Sequence, residues 1–165
     1  MAAGITYTPI TSTTVASNTL SITFTSISQS YTDLVLVLSA YGQTGQDGYL
    51  RFNGDTGTNY SDTVVRGNGT TASSVRDSNA PGIDVGVIST TSGVFTPIIF
   101  NIQNYSNSTT YKTAIGRISN ANSMVTALVG LWRNTAAITQ IDLVERTNSG
   151  WQVGTIATLY GITAA

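Results

Sequence analysis

Cysteine and histidine are both missing from this chain of 165 residues. Without cysteine there is no disulfide framework and no thiolate metal site. Without histidine the usual general base near neutral pH is gone, along with the commonest zinc ligand and the usual partner of a serine nucleophile. Charge is also scarce: Asp, Glu, Lys and Arg make up 9% of the residues, against roughly a quarter in ordinary domains. Seven basic and eight acidic residues leave a net charge of −1. Seven scattered cations do not build a basic patch, so no nucleic-acid partner is expected. The longest apolar run, LVLVL at 34–38, is far too short to span a bilayer, so no membrane partner is expected either. The opening MAAG runs straight into polar, strand-like sequence with no apolar signal core, and no leader is expected.

What remains is a foldable chain. Hydrophobic residues are 41% of it, which separates it from disordered sequences of low hydrophobicity and high charge. The length fits one domain with a core that needs no staples. Residues 1–14 read as an extended N-terminal arm, able to lie along a neighbour as an added strand or to form a plain first strand. Residues 15–165 read as a single β domain. A surface of Thr, Ser, Asn, Gln and Gly repels neighbours weakly, which suits packing into an assembly.

The dominant period is two. Leu20, Ile22 and Phe24 alternate with Ser21, Thr23 and Thr25, the pattern of a strand with one buried face. The run 34–38 predicts a strand covered on both faces. Leu50 and Phe52 share one side of a short strand at 49–52. Pro97 marks a strand start, bulge or edge within 94–102. Segments 111–119 and 124–132 predict a hairpin around Asn120-Ala121-Asn122, with Leu128, Gly130 and Trp132 on one face and Val129 and Leu131 on the other. The closing stretch adds strands at 138–145 and 156–162, with Ile138, Ile141, Leu143, Ile156, Leu159 and Ile162 as core and Asn134, Asn148, Ser149 and Gly150 as turns. No window keeps a helical stripe beyond one turn. The sum is an all-β antiparallel sandwich of about eight or nine strands, jelly-roll-like. Residues 61–93, with Gly67, Gly69, Pro81 and Gly82, read as one long loop holding short strands.

Several groupings could carry chemistry. The segment DGYLRFNGDTGTNYSD (47–62) has Asn53, Asp55 and Asn59 at spacings that resemble a calcium loop in composition. No glutamate closes it, and the same residues suit a β-turn at Asn53-Gly54 capped by Asp55. The turn is the stronger reading, and neither a metal nor a cofactor is assigned. A carboxylate pair for glycoside hydrolysis would have to come from Asp47, Asp55, Asp62, Asp77, Asp84, Asp142 and Glu145. Asp33 reads as a turn cap, and Asp142 with Arg133 or Arg146 reads as a surface ion pair. The sequence offers no context that would raise a carboxyl pKa as such catalysis needs, so no enzyme is expected and no catalytic residue is assigned. Asn-x-Ser/Thr sequences at Asn59, Asn68, Asn104 and Asn107 read as loop composition.

Aromatic side chains are the candidate contacts. Trp132, Trp151, Tyr41, Tyr49, Tyr60, Tyr105 and Tyr111 are available for stacking on sugars or proteins. Trp132 reads as a core or interface filler, and Trp151, beside Ser149-Gly150, as the better exposed contact. Tyr7, Tyr49, Tyr60, Tyr105 and Trp151 are the residues expected to meet a partner.

The blocks YTDLVLVLSA (31–40), LRFNGDTGTNYS (50–61), GLWRNTAAITQIDL (130–143) and GTIATLYGI (154–162) resemble a widespread group of small virion proteins of tailed bacteriophages. Members of that group are described as capsid decoration (cement) proteins or tail-fibre components. The resemblance spans nearly the whole chain in order and marks no catalytic residue. It implies a β-sandwich that associates as a homotrimer on the exterior of a virion, with the major capsid protein or another virion protein as partner. The absence of coiled coil, β-helical repeat or shaft segment favours a cement protein that binds assembled capsid subunits and stabilises the shell. The alternative is a tail-fibre or receptor-binding component that recognises host-surface carbohydrate, which requires Trp151 and Tyr49 to be exposed close together. The stretch 61–93 carries no block of the resemblance and is where partner-specific contacts are expected.

Overall fold

A computed structural model of the chain describes residues 6–43, 48–147 and 149–163. Twelve strands run through them: β1 (Tyr7–Thr14), β2 (Ser21–Phe24), β3 (Asp33–Ala40), β4 (Gly48–Phe52), β5 (Tyr60–Gly67), β6 (Ala72–Ala80), β7 (Ile83–Asp84), β8 (Thr96–Gln103), β9 (Lys112–Asn120), β10 (Met124–Trp132), β11 (Ile141–Glu145) and β12 (Ile156–Ile162). No helix occurs among the described residues. Eight strands form one antiparallel sheet in the order β1-β12-β3-β8-β9-β10-β5-β6, and four form a second in the order β2-β11-β4-β7. The molecule is an all-β sandwich. Its division into eight and four departs from the eight strands of a jelly roll.

The core lies between the sheets and follows from the alternation. Leu34, Leu36 and Leu38 of β3, Ile98, Phe100 and Ile102 of β8, and Leu128 and Trp132 of β10 point inward from the large sheet. Ile22, Phe24, Leu50, Phe52, Ile141 and Leu143 meet them from the small one. Each such side chain stabilises the fold by about 1.5–3 kcal/mol on burial. Close approach of the layers needs a missing side chain at Gly130, where an added Cβ would stand 2.5 Å from Ile83 Cγ2.

The hairpin of β9 and β10 turns at 121–123 as the sequence predicts, and Pro97 is the second residue of β8, at a strand start. At 52–55 the turn is also the one expected. Asn53 and Gly54 both have positive φ (54° and 67°), the Asp55 N–H donates to the Phe52 carbonyl at 3.0 Å, and the Gly57 N–H donates to Asp55 Oδ1 at 2.8 Å. That is the primed turn which Asn-Gly favours in hairpins.

Three expectations are corrected, and one open alternative is resolved. The strand count among the described residues is twelve, not eight or nine. Residues 61–80 are not an irregular loop but most of a β-hairpin, β5 and β6, which extends the large sheet to its edge. Residues 7–14 are the opposite edge strand of the same sheet, paired with β12, so this stretch takes the plain-strand alternative within its own domain. Ile156 faces outward and is 43% exposed, because Ala157, Leu159 and Gly161 take the inner face of β12. Residues 1–5, Asp47 and Asn148 fall outside the described residues.

Candidate interaction face

Three of the five aromatic residues expected to meet a partner are buried. Trp151 is fully enclosed because Thr19 bridges to it from a distant segment, exchanging backbone bonds of 2.7 and 3.2 Å. Its indole N–H donates to the Leu143 carbonyl at 3.1 Å. Tyr60 is inside the core, accepting from the Phe52 N–H at 3.0 Å, and burial pushes its phenol pKa far upward. Tyr105 is also buried, its hydroxyl donating to the Ser28 carbonyl, and burial raises its pKa too. Packing won in each case because a large aromatic surface stabilises most where water is excluded.

The other two are accessible but apart. Tyr49 is half-buried on the outside of the small sheet, with Arg146 4.6 Å and Arg51 5.3 Å from its ring centre. These cation–π contacts occupy the ring that a sugar would stack on. Tyr7 is 56% exposed at the β1 edge, in edge-to-face contact with Tyr160 at 6.3 Å. An exposed Trp151–Tyr49 pair, which the carbohydrate reading requires, is not formed.

The carboxylates serve the fold. Asp55 accepts from Trp132 Nε1 at 2.7 Å, Asn59 Nδ2 at 2.9 Å and the Gly57 N–H. Burial pushes its pKa up, but these bonds and Arg51 outweigh it and hold the carboxyl below its usual range. The Asn53 amide binds the 137–140 segment: Oδ1 accepts from the Thr139 and Gln140 N–H groups and Nδ2 donates to the Ala137 carbonyl. Asn53 and Asp55 of the calcium-like loop are thus engaged by the loop itself, by the 137–140 segment and by Trp132. Glu145 accepts from the Thr147 and Ser149 N–H groups. Asp33 Oδ1 accepts from the Asn104 N–H at 2.6 Å. Asp142 pairs with Thr23 and Gln140, while Arg133 donates instead to the Thr58 and Tyr60 carbonyls and Asn79.

One charge cluster, with buried carboxylates and a half-buried arginine, closes the sandwich on its β5–β7 side. Arg66 of β5 pairs with Asp84 of β7 at 2.5 Å, and Asp62 Oδ2 accepts from the Asp84 N–H at 2.9 Å. Asp62 Oδ1, Arg66 Nε and Thr126 Oγ1 are buried and find no hydrogen-bond partner among the described residues. Burial raises the Asp62 pKa, and the Asp84 and Asp77 carboxylates add to the rise against the Asp84 N–H and Arg66. Lys112 is a fully buried cation, donating to the Thr110 and Thr135 carbonyls at 2.7 and 3.0 Å. Desolvation lowers its pKa.

The broadest feature that these internal pairings leave open is the outer face of the large sheet. The pairing registers set Ser12, Thr158, Val37, Ile99, Arg117, Ala127, Val65 and Ser74 in one row across all eight strands. The next row over β9, β10, β5 and β6 is Ile115, Val129, Thr63 and Arg76. Val65 is 56% exposed, Ile115 50%, Val125 59% and Val129 48%. These four lie on three adjacent strands with Ala127 at their centre. Beside Val129, a shallow depression of about 240 Å³ runs between Leu131, Thr63 and Arg76. Contiguous apolar patches of this kind mark interaction sites, whereas scattered exposed hydrophobics do not. The sequence carried the signal in 124–132, apolar on both faces of one strand. It did not reveal that β5 and β9 flank this strand and enlarge the patch.

Comparison with known protein families, with curated proteins and with solved structures finds no match for this chain.

Proposed function

We propose that this chain is an accessory structural protein of a virion, which docks on assembled shell subunits and stabilises them. The observation that carries the reading is the outer face of β5, β9 and β10, where Val65, Ile115, Val125 and Val129 stand exposed beside one another. Burying such a face is favourable by roughly 25 cal/mol per Å² of apolar surface, before the losses of association. A protein that binds only the assembled shell stabilises it by mass action. The rest of the chain fits a scaffold: Asp55 and Glu145 accept hydrogen bonds from turn N–H groups, Asp84 pairs with Arg66, and both tryptophans fill the core. The virion setting rests on the resemblance of the strand-and-turn blocks to small proteins of tailed bacteriophages, and homotrimeric association rests on that resemblance alone.

The test is binding of the purified protein to shells assembled without it, with shell melting followed in parallel. Saturable binding and a raised shell melting temperature support the reading. Binding to host cells but not to shells would replace it with the tail-fibre alternative.

A further inference from the structure

We infer that the partner of this outer face presents carboxylates around an apolar patch, and that it is not a second copy of the same face. The inference rests on the docking reading above and adds the chemistry of what docks.

Charge is sorted by side in β5, β6, β9 and β10. These strands carry six charged residues. Asp62, Arg66 and Lys112 occupy inward positions, and Asp77 stands directly across from Asp62 on that side. The two that face outward are both arginines: Arg117, across from Ala127, and Arg76, across from Thr63. Both are exposed, and neither makes a hydrogen bond or ion pair with another described residue. The contrast with the remaining cations of these strands is sharp, since Arg66 is bonded to Asp84 and Lys112 to two carbonyls.

An arginine set among valines and isoleucines is the composition of an interface anchor. Arg is enriched at protein contacts, and its planar fork meets a carboxylate through two parallel bonds while its stem lies on apolar surface. Arg117 has Ala127 on one side and Ile99 on the other, and Arg76 walls the depression beside Val129. Isologous contact between two copies would lay this cationic face against itself, with no outward carboxylate on these four strands to answer it, and like charges across an interface cost several kcal/mol. A partner surface with Asp or Glu matched to Arg117 and Arg76 satisfies both the charges and the apolar patch.

The experiment titrates sodium chloride while wild type, Arg117→Glu, Arg76→Glu and Val129→Ser proteins bind shells assembled without the protein. The expected result is weakening of at least about tenfold for each charge reversal near physiological salt, with a shallower salt dependence than wild type. Val129→Ser weakens binding and leaves the salt dependence unchanged. If Val129→Ser weakens binding while both reversals bind as wild type, the docking face stands and the carboxylate partner is overturned. If wild type does not bind at any salt concentration, the docking reading itself falls, and this inference with it. Sedimentation of the same proteins checks the excluded occupant: a wild-type oligomer that Val129→Ser dissociates would overturn the inference in favour of a second copy.

Discussion

The indole N–H of Trp132 donates to Asp55 Oδ2 at 2.7 Å, tying the end of β10 to the turn that follows β4. Trp132 is nearly fully buried, stacked on Tyr60 at 6.2 Å and tilted against Phe52 at 5.6 Å. The turn therefore aligns the innermost aromatic cluster and is more than a connection.

Replacing Asp55 with Ala leaves the Trp132 and Gly57 donors without their acceptor. The expected loss is about 1–3 kcal/mol in urea denaturation at neutral pH. Because the folded-state pKa of Asp55 is lowered, its contribution is present above the unfolded-state value and disappears as pH falls through the folded one. The gap between wild type and Asp55→Ala should close at acid pH. A gap that is constant with pH would contradict this role.

Asp62 behaves in the opposite sense. Its raised pKa means that the folded state holds the proton more tightly than the unfolded chain, so stability falls as pH rises through the folded-state value. Asp62→Asn keeps an acceptor for the Asp84 N–H and removes a buried charge beside Asp84 and Asp77. We expect the variant to be as stable as wild type or up to about 1 kcal/mol more stable at pH 7.5, with a flatter pH profile. A large loss at pH 7.5 with the pH profile unchanged would show that the carboxylate is needed for packing.

Gly130 permits the close contact of the two sheets. An added Cβ would meet Ile83, which is fully buried and has no room to retreat. Gly130→Ala should cost about 1–3 kcal/mol, read as a lower thermal midpoint. An unchanged midpoint would mean that the layers can separate freely there.

Both tryptophans are enclosed, and fluorescence reports on this directly. The native protein should emit in the blue, resist acrylamide quenching and shift to the red on unfolding. Native emission from an exposed indole would return Trp151 to the surface.

The sequence made the alternating strands legible and the distant contacts illegible. Residues 111–132 announce their hairpin because alternation and an Asn-rich turn agree, and Asn53-Gly54 announces its turn for the same reason. β6 stayed hidden because ASSVRDSNA is a strand in which all but the last residue are exposed, so no buried side exists to leave a pattern. Trp151 looked exposed because Ser149 and Gly150 are turn residues; the cover comes from Thr19, remote in the chain. Tyr60 and Tyr105 misled likewise, since their hydroxyl partners are backbone groups at Phe52 and Ser28. The outer face was half legible. Val129 and Leu131 stood out on one strand, but their joining to Val65 and Ile115, with Arg117 beside them, follows from the strand order alone.

The account turns on that face. The most direct measurement is the affinity of Val129→Asp for shells assembled without the protein, beside wild type, with circular dichroism and thermal unfolding recorded for both. Val129 points away from the core and is 48% exposed, so the variant should fold and melt nearly as wild type. The account predicts that it binds shells at least about tenfold more weakly and no longer raises their melting temperature. A well-folded Val129→Asp protein that binds and protects shells as wild type does would contradict it.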